Sequence, residues 1–241
     1  MHSLISVRDV TKHFVSTGEV VSHLNLEIPR GQFVSLLGPS GCGKSTVLRL
    51  MAGLETADSG TVRIEGNPRL SFVFQDSLLL PWRSAFENVR LPLELANEVG
   101  DVANSRASES LARVGLGDAS EKLPHQLSGG MKMRVSLARA LVTQPDILFL
   151  DEPFSALDEI TREGLQADLR RLWSSMKMTV VFVTHSMSEA AFLAERQIVF
   201  SQRPAKILRD HLSGLGEVRD DQTRLTGDFT LEVRGLREAL A

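Results

Sequence analysis

The 241-residue sequence has a single cysteine, Cys42, and no tyrosine. One cysteine cannot form an internal disulfide, so we expect a fold held together by its hydrophobic core, as suits a reducing cytosol. No uncharged stretch approaches the ~20 residues needed to cross a bilayer, and residues 1–14 lack a long apolar segment with a cleavage site. We therefore expect no secretion and no membrane span. If the protein acts at a membrane, another chain must cross it.

The sequence also lacks a strong excess of charge of either sign. Its formal net charge is −3, with acidic and basic residues interspersed, and such a balance gives no support to a nucleic-acid partner. The length fits one large domain, or one domain with an inserted subdomain, and is sufficient to bury a sizeable core.

Two kinds of strand are predicted. Segments 4–10, 23–29 and 60–66 alternate apolar and polar residues, which is typical of antiparallel strands with one buried face. Segments 33–37, 146–150 and 179–185 are nearly continuous apolar runs, as in parallel strands covered by helices on both faces. Residues from about 76 to 143 are predicted to form a mostly helical subdomain inserted into this α/β core.

Helix starts and the end of the chain carry weaker signals. Ser84 to Glu87 and Ser186 to Glu189 both match a capping box. The tail from about 214 to 241 is polar and weakly patterned, and it predicts at most a last helix or strand. Its role is left open.

The segment GPSGCGKST, residues 38–46, follows a buried strand and precedes a helical pattern, which is the context of a Walker A phosphate loop. Glycines let successive N–H groups turn toward one point, where a helix N-terminus adds positive potential. Lys44 would reach the β and γ phosphates of ATP, and the Ser45 hydroxyl would bind Mg²⁺. Cys42 allows a redox switch as an alternative to incidental packing. The candidate ATP-binding residues are Gly38, Pro39, Ser40, Gly41, Cys42, Gly43, Lys44, Ser45 and Thr46.

Two acids, Asp151 and Glu152, come directly after the buried strand 146–150. Ligands of parallel α/β sheets bind at the carboxyl ends of the strands. Asp151 would hold Mg²⁺, directly or through water, and Glu152 would act as general base on the attacking water. The alternative is an exposed turn with ordinary acids.

The segment LSGG, residues 127–130, opens a predicted helix with two glycines, although each glycine weakens a helix by ~1 kcal/mol relative to alanine. One interpretation is structural: Ser128 is an N-cap, while Gly129 and Gly130 let two helices approach closely.

Taken together, the Walker A loop, LSGG and LDEP (150–153) resemble the nucleotide-binding subunit of an ABC transporter, in the order of that family. The resemblance extends over residues 4 to about 210. Further matches are Gln75 in VFQD, the segment SALD at 155–158, and His185 in VTHS. The family implies an α/β fold: a P-loop NTPase core of mixed and parallel sheet, an N-terminal antiparallel β subdomain and the helical insertion, all in one ATP-binding domain spanning 1–241.

The resemblance also implies roles for these residues. Two copies would bind two ATP molecules head to tail, with Ser128, Gly129 and Gly130 of one copy facing the γ phosphate held by the other. Gln75 would contact Mg²⁺ and the attacking water, and His185 the γ phosphate. Phe14 would stack on adenine, with a core phenylalanine as the alternative. With Lys44, Glu152, Gln75 and His185 as catalytic residues, the chain would be a Mg²⁺-dependent ATPase coupled to transport.

A finer resemblance is carried by QDSLLLPWRSAFENV, residues 75–89, which is similar to importers of nitrate, aliphatic sulfonates and taurine. It implies a separate transmembrane permease contacting the region near Trp82 and Phe86, a binding protein that delivers the substrate, and a location on the cytoplasmic face of the membrane. Burial inside the helical subdomain is the alternative for both aromatic residues.

Two methionines depart from the commoner family pattern, in which glutamine is usual. Met131 is common in this importer group, whereas Met133 puts any polar role of that position in doubt.

Two other functions are alternatives: a soluble regulatory or interaction ATPase of the ABC type, and a small-molecule phosphotransferase with a P-loop. Proteins of the first kind usually have two cassettes in one chain or a long coiled-coil insertion, and this sequence shows neither. A phosphotransferase would need the Walker A loop but not LSGG or SALD.

Overall fold

The computed structural model describes residues 3–240; Met1, His2 and Ala241, at the ends of the predicted domain, lie outside it. The chain divides into two compact units. The first comprises the chain up to Pro68 and from Leu169 onward, and the second comprises Arg69–Asp168.

In chain order the elements are β1 (Ser3–Phe14), β2 (Gly18–Pro29), β3 (Phe33–Leu37), α1 (Lys44–Met51), β4 (Ser59–Ile64), β5 (Leu70–Val73), α2 (Ala85–Leu95), α3 (Asp101–Arg113), α4 (Gly129–Leu141), β6 (Ile147–Asp151), α5 (Glu159–Met176), β7 (Thr179–Thr184), α6 (Met187–Leu193), β8 (Arg196–Phe200), β9 (Ile207–Leu212) and α7 (Gly227–Leu240).

The first unit contains an antiparallel sheet in the order β2-β1-β4. On the central strand, Val7 faces Leu26 of β2 and Val62 of β4. Alternate residues from 22 to 28 of β2 are buried, because successive side chains of a strand point to opposite faces. The predicted antiparallel strands are confirmed.

The same unit contains three parallel strands with β3 in the middle, paired with β7 on one side and β8 on the other. β9 runs antiparallel on the far side of β8. Every residue of β3 and β7 is buried, and α1 packs on β7 while α6 packs on β3. The continuous apolar runs therefore form core strands covered by helices, as predicted.

The second unit contains a parallel pair, β5 and β6, in which Val73 faces Leu150. Between these strands in sequence come α2, α3 and α4, which pack on one another. The compact unit runs from Arg69 to Asp168 and includes β5 and β6 as well as these helices. The bounds of about 76–143 for a separate helical subdomain therefore stay a prediction.

The two predicted capping boxes have different outcomes. At the start of α2, the Glu87 N–H donates to the Ser84 Oγ and the Ser84 N–H donates to the Glu87 carboxylate, which makes a complete box. At the start of α6 the prediction is only half right. Ser186 Oγ accepts from the Glu189 N–H, but the Ser186 N–H donates to Thr184 Oγ1. The Glu189 carboxylate instead accepts from the Thr184 hydroxyl.

The tail contains a helix, α7, which packs against α6, β8 and β9. Phe229 and Leu236 are its buried residues. Within residues 3–240, no helix combines the length and the apolar character that crossing a bilayer requires.

Candidate functional site

The phosphate loop connects the end of β3 at Leu37 to the start of α1 at Lys44. Gly41 and Gly43 have φ angles of 75° and 118°, in the left-handed region that glycine adopts without strain. A side chain at Gly43 would also place its Cβ 2.8 Å from the carbonyl oxygen of Val20. Glycine is therefore required at position 43 by both conformation and space.

Lys44 is buried and lies over its own loop. Its Nζ donates to the carbonyl oxygens of Gly38 at 2.9 Å and Pro39 at 2.8 Å. Cys42 is also buried, with Sγ 4.0 Å from that Nζ. Since redox-active cysteines are partly exposed, the burial favours packing over a redox switch for Cys42.

His185 and the phosphate loop meet at one edge of the first unit. Leu37, the last residue of β3, faces Thr184, the last residue of β7, so Gly38 and His185 each follow directly at the carboxyl end of neighbouring strands. His185 is exposed. This arrangement brings together two segments that are almost 150 residues apart in sequence.

Phe14 ends β1 and is half-buried, so it is not one of the fully buried core side chains. The ammonium group of Lys12 lies 5.1 Å from the centre of its ring. The stacking of Phe14 on adenine stays a prediction.

The second unit brings Gln75 and the acidic pair together. Asp151 is the last residue of β6 and is buried, whereas Glu152 follows it half-exposed with a φ of 44°. Ser155 joins the two segments: its Oγ donates to the Glu152 carbonyl at 3.0 Å and accepts from Gln75 Nε2 at 3.2 Å. A non-glycine residue with positive φ is uncommon and often occurs at functional sites.

The LSGG segment starts α4 as predicted, with Ser128 as N-cap accepting from the Met131 N–H at 3.3 Å. Its two glycines have different surroundings. Gly129 is exposed, and an added Cβ would make ordinary contact with Leu157 at 3.7 Å. Gly130 is buried, and an added Cβ would collide with Thr161 Cγ2. Close approach to α5 thus accounts for Gly130, whereas nothing in the packing requires glycine at 129.

Arg162, which sequence reasoning missed, and Asp158 organise the turn after Glu152. The Arg162 guanidinium donates to the carbonyls of Phe154 and Leu157. Asp158 accepts from the Thr161 N–H at 3.0 Å, a bond that holds the pKa of Asp158 below its usual value. The sequence analysis included Ser155 and Asp158 only as part of SALD. No local pattern identifies the partners of Arg162 or Ser155, because they are backbone carbonyls and a distant amide.

The donor groups fit ATP and Mg²⁺ chemically. An ammonium group, hydroxyls and loop amides suit phosphate oxygens, and the Ser45 hydroxyl and Asp151 carboxylate are the hard oxygen ligands that Mg²⁺ prefers. Among the described residues, no group of three or more His, Cys, Asp or Glu side chains could hold a metal ion.

Trp82 and Phe86 differ in exposure. Trp82 is 72% exposed, so the alternative that it is buried is wrong. Phe86 is half-buried, with the Arg90 guanidinium 5.7 Å from its ring centre. Met133 is buried on α4.

The family model described as ABC transporter matches residues 21–155. This chain belongs to the ABC transporter family. It is an ATPase of that family, as the motifs predicted, and the fold class predicted from the sequence is confirmed. The phosphotransferase alternative loses its support.

Several ABC proteins are similar over most of the chain. The aliphatic sulfonates import ATP-binding protein SsuB 1 of Mesorhizobium japonicum is 48% identical, over 76% of this chain and 70% of that protein. The bicarbonate transport ATP-binding protein CmpD of Synechocystis sp. is 42% identical, over 77% and 68%. The solved dimer of the ATP-binding cassette MJ0796, in a post-hydrolysis state bound to ADP and Pi, is 33% identical, with a TM-score of 0.77 over 86% of this chain and 98% of that chain.

Proposed function

We propose that this chain is the ATP-hydrolysing subunit of an ABC importer that powers uptake of a small molecule through a separate permease. The observation that carries the proposal is its 48% identity, over three quarters of its length, to a sulfonate import ATP-binding protein. The relatives' names cover sulfonates and bicarbonate, and the LLPW stretch resembles importers of nitrate, sulfonates and taurine. We infer that the cargo is a small molecule bearing an oxyanion.

In the proposed reaction, the phosphate loop residues from Gly38 to Thr46 bind the phosphates of ATP, with Lys44 neutralising their charge. Phe14 stacks on the adenine. Ser45, Asp151 and Gln75 would hold Mg²⁺, which would supply charge neutralisation at the phosphates. Glu152 accepts a proton from the attacking water, and His185 contacts the γ phosphate.

Two copies of the chain work together in this proposal. Ser128 and Gly129 are exposed at the N-terminus of α4, where partial positive charge and N–H groups favour an anion. They would face the γ phosphate bound by the other copy, with Gly130 behind them in contact with α5. The solved dimer of a related cassette supports such an arrangement.

The proposed importer includes a permease that contacts the region of Trp82 and Phe86, and a binding protein that delivers the cargo. An exposed tryptophan is a frequent anchor of protein interfaces. The chain would then lie at the cytoplasmic face of the membrane, attached through the permease.

Co-purification tests the proposal. The tagged chain, extracted from native membranes in detergent, should carry a multispanning membrane protein, and Trp82→Ala should lose it. Leu225→Ala is the matched control, because Leu225 is 79% exposed in the other unit. Purification of an active ATPase with no membrane partner would instead favour the soluble regulatory alternative.

A further inference from the structure

The segment from Ser77 to Ser84, here called the platform loop, connects β5 to α2 without forming a helix or strand. It presents two exposed apolar side chains, Leu78 at 56% and Trp82 at 72% exposure. A loop of this kind is usually among the more mobile parts of a fold. Here, side chains from two different helices hold it in place.

Asn88, on α2, holds the second half of the platform loop. It is fully buried, and its Oδ1 accepts from the Leu80 N–H at 2.8 Å. Its Nδ2 donates to the carbonyls of Leu80, Arg83 and Ser84 at 3.2, 3.0 and 2.9 Å. The loop next to Trp82 is therefore fixed to α2.

Arg139, on α4, holds the first half. Its Nη1 donates to the Leu78 carbonyl and its Nη2 to the Ser77 carbonyl, both at 2.8 Å. The φ of Leu78 is 45°, a conformation that a leucine rarely adopts without surrounding support. The guanidinium presents its N–H groups in a rigid planar fork, whereas a lysine ammonium is a compact charge whose three N–H donors rotate freely.

Arg139 lies on the same helix as the LSGG turn. It follows Ser128 by about three helical turns, and α2 and α4 pack on each other. The bonds made by Arg139 therefore connect the loop that carries Trp82 directly to the helix that begins at Ser128 and Gly129. The contacted carbonyls are 61 and 62 residues away in sequence.

We propose that Arg139 is a positioning residue that joins the platform loop to α4, so that a displacement of Trp82 by the permease is carried to the LSGG turn. This inference rests on the proposed function, in which the permease contacts Trp82. Rigid helices and hydrogen bonds to a charged donor are suitable carriers of such coupling. The nucleotide chemistry itself does not require Arg139.

Hydrogen exchange on the purified chain tests the physical link without any partner. Arg139→Gln should speed exchange of the amides at 77–83 by roughly ten-fold, because two charge-assisted bonds are lost. Arg139→Lys, which keeps the charge but loses the fixed fork geometry, should have an intermediate effect. Arg113→Gln is the control, since Arg113 is exposed at the end of α3. Unchanged exchange in the platform loop of Arg139→Gln would overturn the proposal.

The second measurement compares two ATPase rates. The permease complex is purified through the tagged chain and reconstituted in vesicles, and its ATPase rate is divided by the rate of the isolated chain. Arg139→Gln should lower this ratio roughly five-fold or more, while the rate of the isolated chain stays within about two-fold of wild type. Arg139→Lys should restore part of the ratio. An equal loss in both rates, or an unchanged ratio, would contradict coupling through Arg139. If the permease does not raise the ATPase rate of the wild-type chain, the proposed function is contradicted. Hydrogen exchange would still test whether Arg139 holds the platform loop to α4.

Discussion

Gly129 and Gly130 are adjacent in sequence, but their surroundings differ. Gly130 is buried against Thr161, and a Cβ there would collide with that side chain. Gly129 is exposed and has room for a side chain. The interpretation of LSGG as a close helix contact is therefore correct for Gly130, and the proposed contact with ATP applies first to Ser128 and Gly129.

Gly129→Asp should abolish ATP hydrolysis while leaving the melting temperature of the isolated chain close to wild type. A carboxylate in the first turn of a helix is favourable for the helix, but it would repel a γ phosphate held by a second copy. Steady-state ATPase assays and thermal melting check this.

Gly164→Asp is the matched control for that variant, because Gly164 lies exposed on α5 with nothing within 4 Å of an added Cβ. It should hydrolyse ATP normally. Cooperative, wild-type hydrolysis by Gly129→Asp would refute the role assigned to the LSGG turn.

At the scale of single elements, the complete capping box of α2 is a local feature with a measurable contribution. Ser84→Ala removes the acceptor for the Glu87 N–H and should destabilise the protein by ~1 kcal/mol. In a chain of this size that corresponds to a fall of about 3 °C in melting temperature. Ser84→Thr keeps the acceptor and should melt near wild type. Equal melting of Ser84→Ala and wild type would show that the box contributes nothing.

The elements differ in how far the sequence predicts them. Strands β3, β6 and β7 are predictable because their apolar runs are continuous and only five to seven residues long, as is typical of strands buried on both faces. Helix α7 is predicted only as a last helix or strand. Its apolar residues Phe229, Val233, Leu236 and Leu240 do have helical spacing, but Gly227 and Gly235 weaken the helical pattern.

The candidate site also contains some features that the sequence predicts and others that it does not. The phosphate loop and the acidic pair are predictable because their chemistry depends on adjacent residues and on the strand before them. The bonds of Ser155 to Gln75 and of Arg139 to Ser77 link residues about 60 to 80 positions apart. A single sequence contains no local signal for such pairs.

At the scale of the whole molecule, the C-terminal tail is part of the folded structure. Arg219 is buried, and its Nη1 donates to the carbonyls of Ala191, Phe192 and Ala194 at the end of α6. Burial, and next the charge of nearby Arg170, lower the pKa of Arg219 to about 10. At neutral pH the guanidinium is thus still protonated and able to donate to these carbonyls. The tail therefore closes the end of the helix that follows His185.

Arg219→Met should consequently lower the melting temperature by more than about 5 °C, since several buried carbonyls lose their donor at once. Differential scanning calorimetry of the full chain checks this. Arg234→Met, in an exposed ion pair with Glu238, is the control and should melt near wild type. A small effect of Arg219→Met would mean that the tail contributes little to the stability of the fold.

The central claim is that two copies of this chain close on ATP and that Glu152 then drives hydrolysis. Sedimentation velocity of Glu152→Gln, with ATP and with ADP, tests this most directly, because the variant should bind ATP but hydrolyse it about 10²- to 10³-fold more slowly. We predict that Glu152→Gln forms a stable dimer with ATP and is a monomer with ADP, and that it binds ATP with wild-type affinity. A variant that binds ATP but stays monomeric, or that hydrolyses ATP at the wild-type rate, would contradict it.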